Sequence, residues 1–256
     1  MNRNRIMNKL SALVLLAFTM LVSPSWGQTA KEIVKKADDR MQGLSNKSVM
    51  KMTIVRPDWK REITMKGWAL GREYSLILIT APARDKGQAF LKRENEMWNW
   101  QPSIDRVIKL PPSMMLQSWM GSDFTNDDLV KESSIVNDYD QKLDGDTTIN
   151  NMSVYKIIMI PKPEAAVVWG KVIVYIDKVN YNEHLVKYYD EDGFLVNTMI
   201  LSDIKEMGGR IIPTHMEMIP ADEPNNKTVI DYLDLQFDLK DITQSFFSLQ
   251  NMKRIR

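Results

Sequence analysis

The chain has 256 residues, 44% of them hydrophobic, with 34 lysines and arginines against 33 aspartates and glutamates. That near-balance, without basic runs, argues against a nucleic-acid partner. The absence of cysteine excludes a thiol nucleophile, thiolate metal sites, disulfides and a lipid-modified N-terminal cysteine.

The first nine residues carry Arg3, Arg5 and Lys9 and no acid, and Leu10–Val22 is an apolar run. "SPSWGQ" then sets Ser25 and Gly27 at the −3 and −1 positions of a cut before Gln28. This order of charged, apolar and small residues predicts a secretory signal peptide over 1–27 and a mature domain over 28–256. The run falls short of the roughly 20 apolar residues that would anchor it across a bilayer. Cleavage removes three bases and no acid, turning the formal net charge of +1 into −2. The expected product is an exported, soluble protein, and the lack of cysteine suits a bacterial periplasm.

Downstream, Thr29 and Glu32 have capping-box spacing. Ile33, Val34, Ala37, Met41 and Leu44 follow at helical intervals, which predicts an amphipathic helix over about Ala30–Met41. The period then changes to two. In "SVMKMTIV", Met50, Met52 and Ile54 share one face; in "REITMKGWAL", Ile63, Met65 and Gly67 do. "EYSLILIT" is apolar on both faces, and "QAFLKR", "MWNWQ" and "RVIKL" follow. After residue 150, "VYKIIMI", "KVIVYID", "EHLVKYYD", "FLVNTMIL", "RIIPTHMEMI" and "TVIDYLDLQF" read as six more strands, separated by turns such as Asp190–Gly193 and Gly208-Gly209. About eleven strands joined mostly by hairpins predict a mainly β protein with a strongly curved sheet or barrel.

"MMLQSWMGSDFTNDDL" (Met114–Leu129) interrupts the strands. Ser113 is expected to cap a short helix carrying Met114, Met115, Leu116, Trp119 and Met120, with Gly121 ending it. Thr125 is expected to cap a second helix, with Asp127 and Asp128 favouring its positive end. A calcium loop counted from Asp123 would need glycine at its sixth position and an acid at its twelfth; Asp128 and Ser134 stand there. The methionines are too scattered for a thioether copper site, so no metal or other cofactor is expected. His184 and His215 read as exposed strand residues. No nucleophile elbow, phosphate loop or zinc-protease motif occurs, so no enzyme is expected.

"MWNWQPSIDRVIKL", "MGSDFTNDDL", "YDQKLDGDTTINNMSVYKIIMIPK" and "SFFSLQNMKRI" together resemble the LolA-like outer-membrane lipoprotein-sorting proteins, and more the permease-associated subtype than the carrier itself. The resemblance spans the mature chain. It implies an unclosed antiparallel β-barrel with an N-terminal helix and short lid helices, holding acyl chains of a lipoprotein or lipid in an apolar hollow. It also implies that an arginine from a barrel strand latches the lid; Arg61, Arg72 and Arg106 are the candidates. The expected function is a monomeric periplasmic carrier that ferries its cargo toward the outer membrane, with an inner-membrane permease as partner. The alternative is a non-transporting accessory subunit of such a permease. Candidates for the cavity or lid are Met50, Met52, Ile54, Ile63, Met65, Trp98, Trp100, Met114, Met115, Trp119 and Phe124.

Overall fold

A computed structural model describes residues 28–94, 96–130, 134–165 and 167–256. The expected signal peptide lies outside the described residues. Helix α1 (Ala30–Gln42) begins with the predicted capping box: Thr29 Oγ1 accepts from the Glu32 amide at 3.2 Å, and the Glu32 carboxylate accepts from the Thr29 amide at 2.9 Å. It ends at Gly43, whose φ of 64° is costly for a residue with a Cβ. Arg210 donates to the Asp39 and Arg40 carbonyls at 3.0 and 2.8 Å, adding to the Gly43 amide on Asp39 and satisfying Arg40, whose carbonyl the helix end leaves open.

The strands form one antiparallel sheet: β1 (Ser45–Arg56), β2 (Trp59–Leu70), β3 (Tyr74–Ala81), β4 (Ala89–Arg93), β5 (Glu96–Gln101), β6 (Arg106–Lys109), β7 (Tyr139–Ile149), β8 (Met152–Pro161), β9 (Lys171–Asp177), β10 (Glu183–Tyr189), β11 (Leu195–Met207), β12 (Arg210–Pro220) and β13 (Lys227–Phe237). The order is β6-β5-β4-β3-β2-β1-β13-β12-β11-β10-β9-β8-β7, thirteen strands among the described residues rather than about eleven. The sheet is unclosed, with β6 and β7 as its edges. The unpredicted strand is β7. It is exposed along nearly its whole length and polar on both faces, so it shows none of the alternation that marks a half-buried strand.

Two apolar clusters lie on opposite faces of the sheet. On the inner face, Ile33, Val34 and Ala37 of α1 pack with Met52, Ile54, Ile63, Met65 and Ile79. Each fully buried aliphatic there contributes about 1.5–3 kcal/mol. On the outer face of β2–β5, the C-terminal segment brings Ile242, Phe247 and, from helix α3 (Leu249–Arg254), Met252 against Trp68, Leu76, Leu91 and Trp100. This explains why β3 is apolar on both faces: Leu76 and Leu78 serve the outer cluster, Ile77 and Ile79 the inner one. Among the described residues no helix is long and apolar enough to cross a membrane.

Candidate functional site: an apolar hollow beside a pinned loop

Between α1 and the inner face of the sheet lies a hollow of about 210 Å³. Met41, Met50, Met65, Met199 and Met216 line it, with Phe124, Tyr139, Trp169 and Tyr188. Thioether side chains repack readily, so this wall can follow the shape of a flexible apolar guest.

The segment after β6 seals one flank. It is not the expected Met/Trp helix. A single 3-10 turn, Pro112–Met114, begins after Pro111 without a side-chain cap, so Ser113 caps nothing. The chain then folds back on itself: the Trp119 amide donates to the Phe124 carbonyl at 2.8 Å, and Ser118 bridges Thr125. Met120 and Gly121, at φ 53° and 79°, make the reversal. Intra-loop pairing therefore wins over helix propagation, which one short turn after two prolines cannot nucleate. The reversal drives Trp119 inward to 0% exposure, with its ring 5.2 Å from that of Phe90. Met115 and Phe124 are also buried, Met114 is half-buried, and Leu116 faces solvent. Among the described residues Trp119 Nε1 has no hydrogen-bond partner.

Two arginines pin this loop to the sheet. Arg56, at the end of β1, grips Asp123 through both carboxylate oxygens at 2.9 and 3.1 Å. Thr228 Oγ1 of β13 donates to the same carboxylate at 2.6 Å and accepts from the Asp123 amide at 2.9 Å. Arg61 donates to the Met120 carbonyl at 3.1 Å and to Asp85 at 2.7 Å. Burial alone would raise the Asp85 carboxyl, but the hydrogen bond and charge of Arg61, aided by Arg84, hold it below the ordinary range. Of the three latch candidates, Arg61 thus touches the loop. Arg72 binds Asp38 and Asp39 of α1 instead, and Arg106 is exposed on β6. Arg56 was not anticipated; its partner lies 67 residues away, beyond any local signal.

Thr125 does cap the next helix, α2 (Asn126–Val130). Its hydroxyl accepts from the Asp128 amide at 3.1 Å, and Asp128 accepts from the Thr125 amide at 2.8 Å. Asp128 also accepts from Trp169 Nε1 at 2.9 Å. Burial pushes the Asp128 carboxyl up, outweighing those hydrogen bonds. Burial, then the neighbouring Asp127 and Asp128 charges, also push the Tyr139 phenol up. Among the described residues no group of three histidines or acids is placed to hold a metal ion.

The remaining sequence candidates separate. Met50, Met65 and Phe124 line the hollow. Met52, Ile54, Ile63, Met115 and Trp119 fill the packed core beside it. Trp98 and Trp100 belong to the outer cluster, because Met97 is the residue of β5 that faces inward. His184 is buried against Asp177, 3.2 Å away, rather than exposed, while His215 is half-exposed and pairs with Asp231 at 2.7 Å. Met199 and Met216 went unnoticed, although the alternation in "THMEMI" marks Met216 and Met218 as one face.

A family model described as an uncharacterized protein matches residues 71–254. The chain belongs to that family. Its fold is LolA-like, as three solved structures show. A Vibrio parahaemolyticus domain named for outer membrane lipoprotein sorting is 22% identical, with a TM-score of 0.78 over 88% of this chain and 98% of that one. A LolA superfamily protein of Nitrosomonas europaea is 23% identical, with a TM-score of 0.76 over 88% and 99%. A DUF1329 family protein of Desulfovibrio piger is 22% identical, with a TM-score of 0.79 over 87% and 97%. No curated protein matches the chain.

Proposed function

We propose that the protein is a periplasmic carrier that takes acyl chains of a lipoprotein or lipid into the hollow and ferries them toward the outer membrane. The observation that carries this reading is the methionine-lined hollow beside a loop fastened by Arg56 and Arg61. The hollow of about 210 Å³ is smaller than the roughly 300–1,000 Å³ of most small-molecule sites. Withdrawal of the loop would add the space that Met115 and Trp119 now fill. The loop side chains then stand in for cargo in the closed state, and cargo replaces them in the open one. Apolar burial supplies the affinity, at about 25 cal/mol per Å² before ordering costs. The acyl cargo, an inner-membrane permease as donor and a monomeric state are all part of this proposal.

Native mass spectrometry of protein released from the periplasm tests it. Bound acyl-bearing mass, displaced by a fluorescent fatty-acyl probe, is the expected result. Protein that is always bare and takes up no probe would overturn the carrier reading.

A further inference from the structure

The hollow has unlike flanks. On the β2–β4 side the charged residues lining it are the cations Arg72 and Lys92. On the β7–β10 side they are acids, Asp127 and Asp128 of α2, and the wall beside them is aromatic: Tyr139, Trp169 and Tyr188, with Phe124 next to α2. The strand order keeps these flanks apart, since β4-β3-β2 and β10-β9-β8-β7 lie toward opposite edges of the sheet.

Trp169 owes its place to Gly170. The start of β9 passes so close to the β10–β11 turn that a Cβ on Gly170 would stand 2.5 Å from the Asp190 carbonyl oxygen. That close approach sets the Trp169 ring against Tyr188, with centroids 5.2 Å apart and planes 46° from parallel. It also lets Trp169 Nε1 donate to Asp128 at 2.9 Å.

The decisive side chain is that of Asp128. Trp169 and Tyr139 are buried, whereas Asp128 keeps part of its surface open and lines the hollow. Among the described residues its carboxylate partners are the Thr125 amide and Trp169 Nε1, both uncharged donors. A carboxylate held in a largely apolar cavity by neutral donors is costly, and a cation offsets that cost. The rings add to the attraction, because an aromatic face draws a cation within about 6 Å of its centroid.

We propose that this end of the hollow is a subsite for the head of a cationic amphiphile, its ammonium, primary or quaternary, seated against Asp128 beside Trp169, Tyr188 and Tyr139. The proposal rests on the carrier reading and names its cargo class. The tail takes the methionine surface of Met50, Met65 and Met216, and the head brings to Asp128 the charge that its uncharged partners do not supply.

The test is titration of the full mature protein with four ligands sharing one tail: dodecylamine, dodecyltrimethylammonium, dodecanol and laurate. At least one ammonium is expected to bind about tenfold or more tighter than dodecanol, the scale of one charge-assisted contact, and laurate weakest. The amine against the trimethylammonium decides which head is preferred. Asp128→Asn keeps the shape and an acceptor for Trp169; it should erase the ammonium preference while leaving dodecanol within about twofold. Tyr188→Leu should lower the preference about threefold, and Tyr188→Phe, which keeps a ring, should preserve it. Equal affinity for all four ligands, or an ammonium preference that survives in full in Asp128→Asn or in Tyr188→Leu, would overturn the subsite and leave the carrier reading standing. Failure of every ligand to bind would overturn both.

Discussion

Arg56 and Asp123 form a two-pronged ion pair, 2.9 and 3.1 Å, that joins the end of β1 to the loop preceding α2. The Asp123 side chain is 7% exposed and that of Arg56 16%. A pair this dry is worth far more as a fastening than a surface ion pair, because losing either member strands the other without solvent.

Arg56→Ala is therefore expected to cost about 3 kcal/mol and to loosen the loop more than the sheet. Hydrogen exchange should accelerate at the Met114–Asn126 amides while the amides of β8–β11 keep their protection. Acyl-probe uptake should also become faster. Unchanged exchange in the loop would show that Arg61 and Thr228 suffice to hold it.

The orphaned Nε1–H of Trp119 weakens the closed loop. Trp119→Phe keeps an aromatic ring against Phe90 and removes a buried donor whose unmet bond costs about 1–3 kcal/mol. It should therefore be close to neutral or stabilising, and should slow probe uptake. Trp119→Ala instead opens a cavity and should cost about 3–5 kcal/mol. Denaturant melts of the two variants decide the matter: similar losses would mean that the indole N–H is satisfied in solution.

Asp128 gives a pH-dependent prediction. Burial raises its folded-state carboxyl above the ordinary aspartate range. A raised folded value contributes stability at low pH that is lost as pH rises through it. Asp128→Asn keeps an oxygen for Trp169 or Thr125 and carries no charge. The variant should gain stability relative to the native protein as pH rises from about 4 to 7, with little difference below. Urea melts at the two pH values measure it; a loss that grows with pH would mean that the capping charge outweighs desolvation.

The outer cluster serves as an internal control. Phe247 is 0% exposed and packs beside Tyr74 and Phe246, with ring centroids 5.7 and 5.3 Å away. Phe247→Ala should cost about 3–5 kcal/mol and lower the melting temperature. Affinity for an acyl probe should be unchanged while the protein is folded. A parallel fall in affinity would place the outer cluster in the binding machinery.

The sequence by itself determined the local chemistry. The capping box at Thr29 and the cap at Thr125 are each written within four consecutive residues, and both formed. Alternation in β1 and β2 put Met50, Met52, Ile63 and Met65 on one face, since side-chain direction in a strand has a period of two. The LolA-like motifs named the unclosed sheet. Tertiary structure alone decided which face of β5 looks inward. Trp98 and Trp100 turned outward because the C-terminal segment covers that side, a partner some 150 residues away in sequence. It also decided that β7 is a strand, since an exposed edge needs no apolar pattern. The loop's shape and its hold by Arg56 likewise depend on partners 67 residues apart. Short-range propensity cannot encode such pairings; they exist only once the sheet has brought β1, β13 and the loop together.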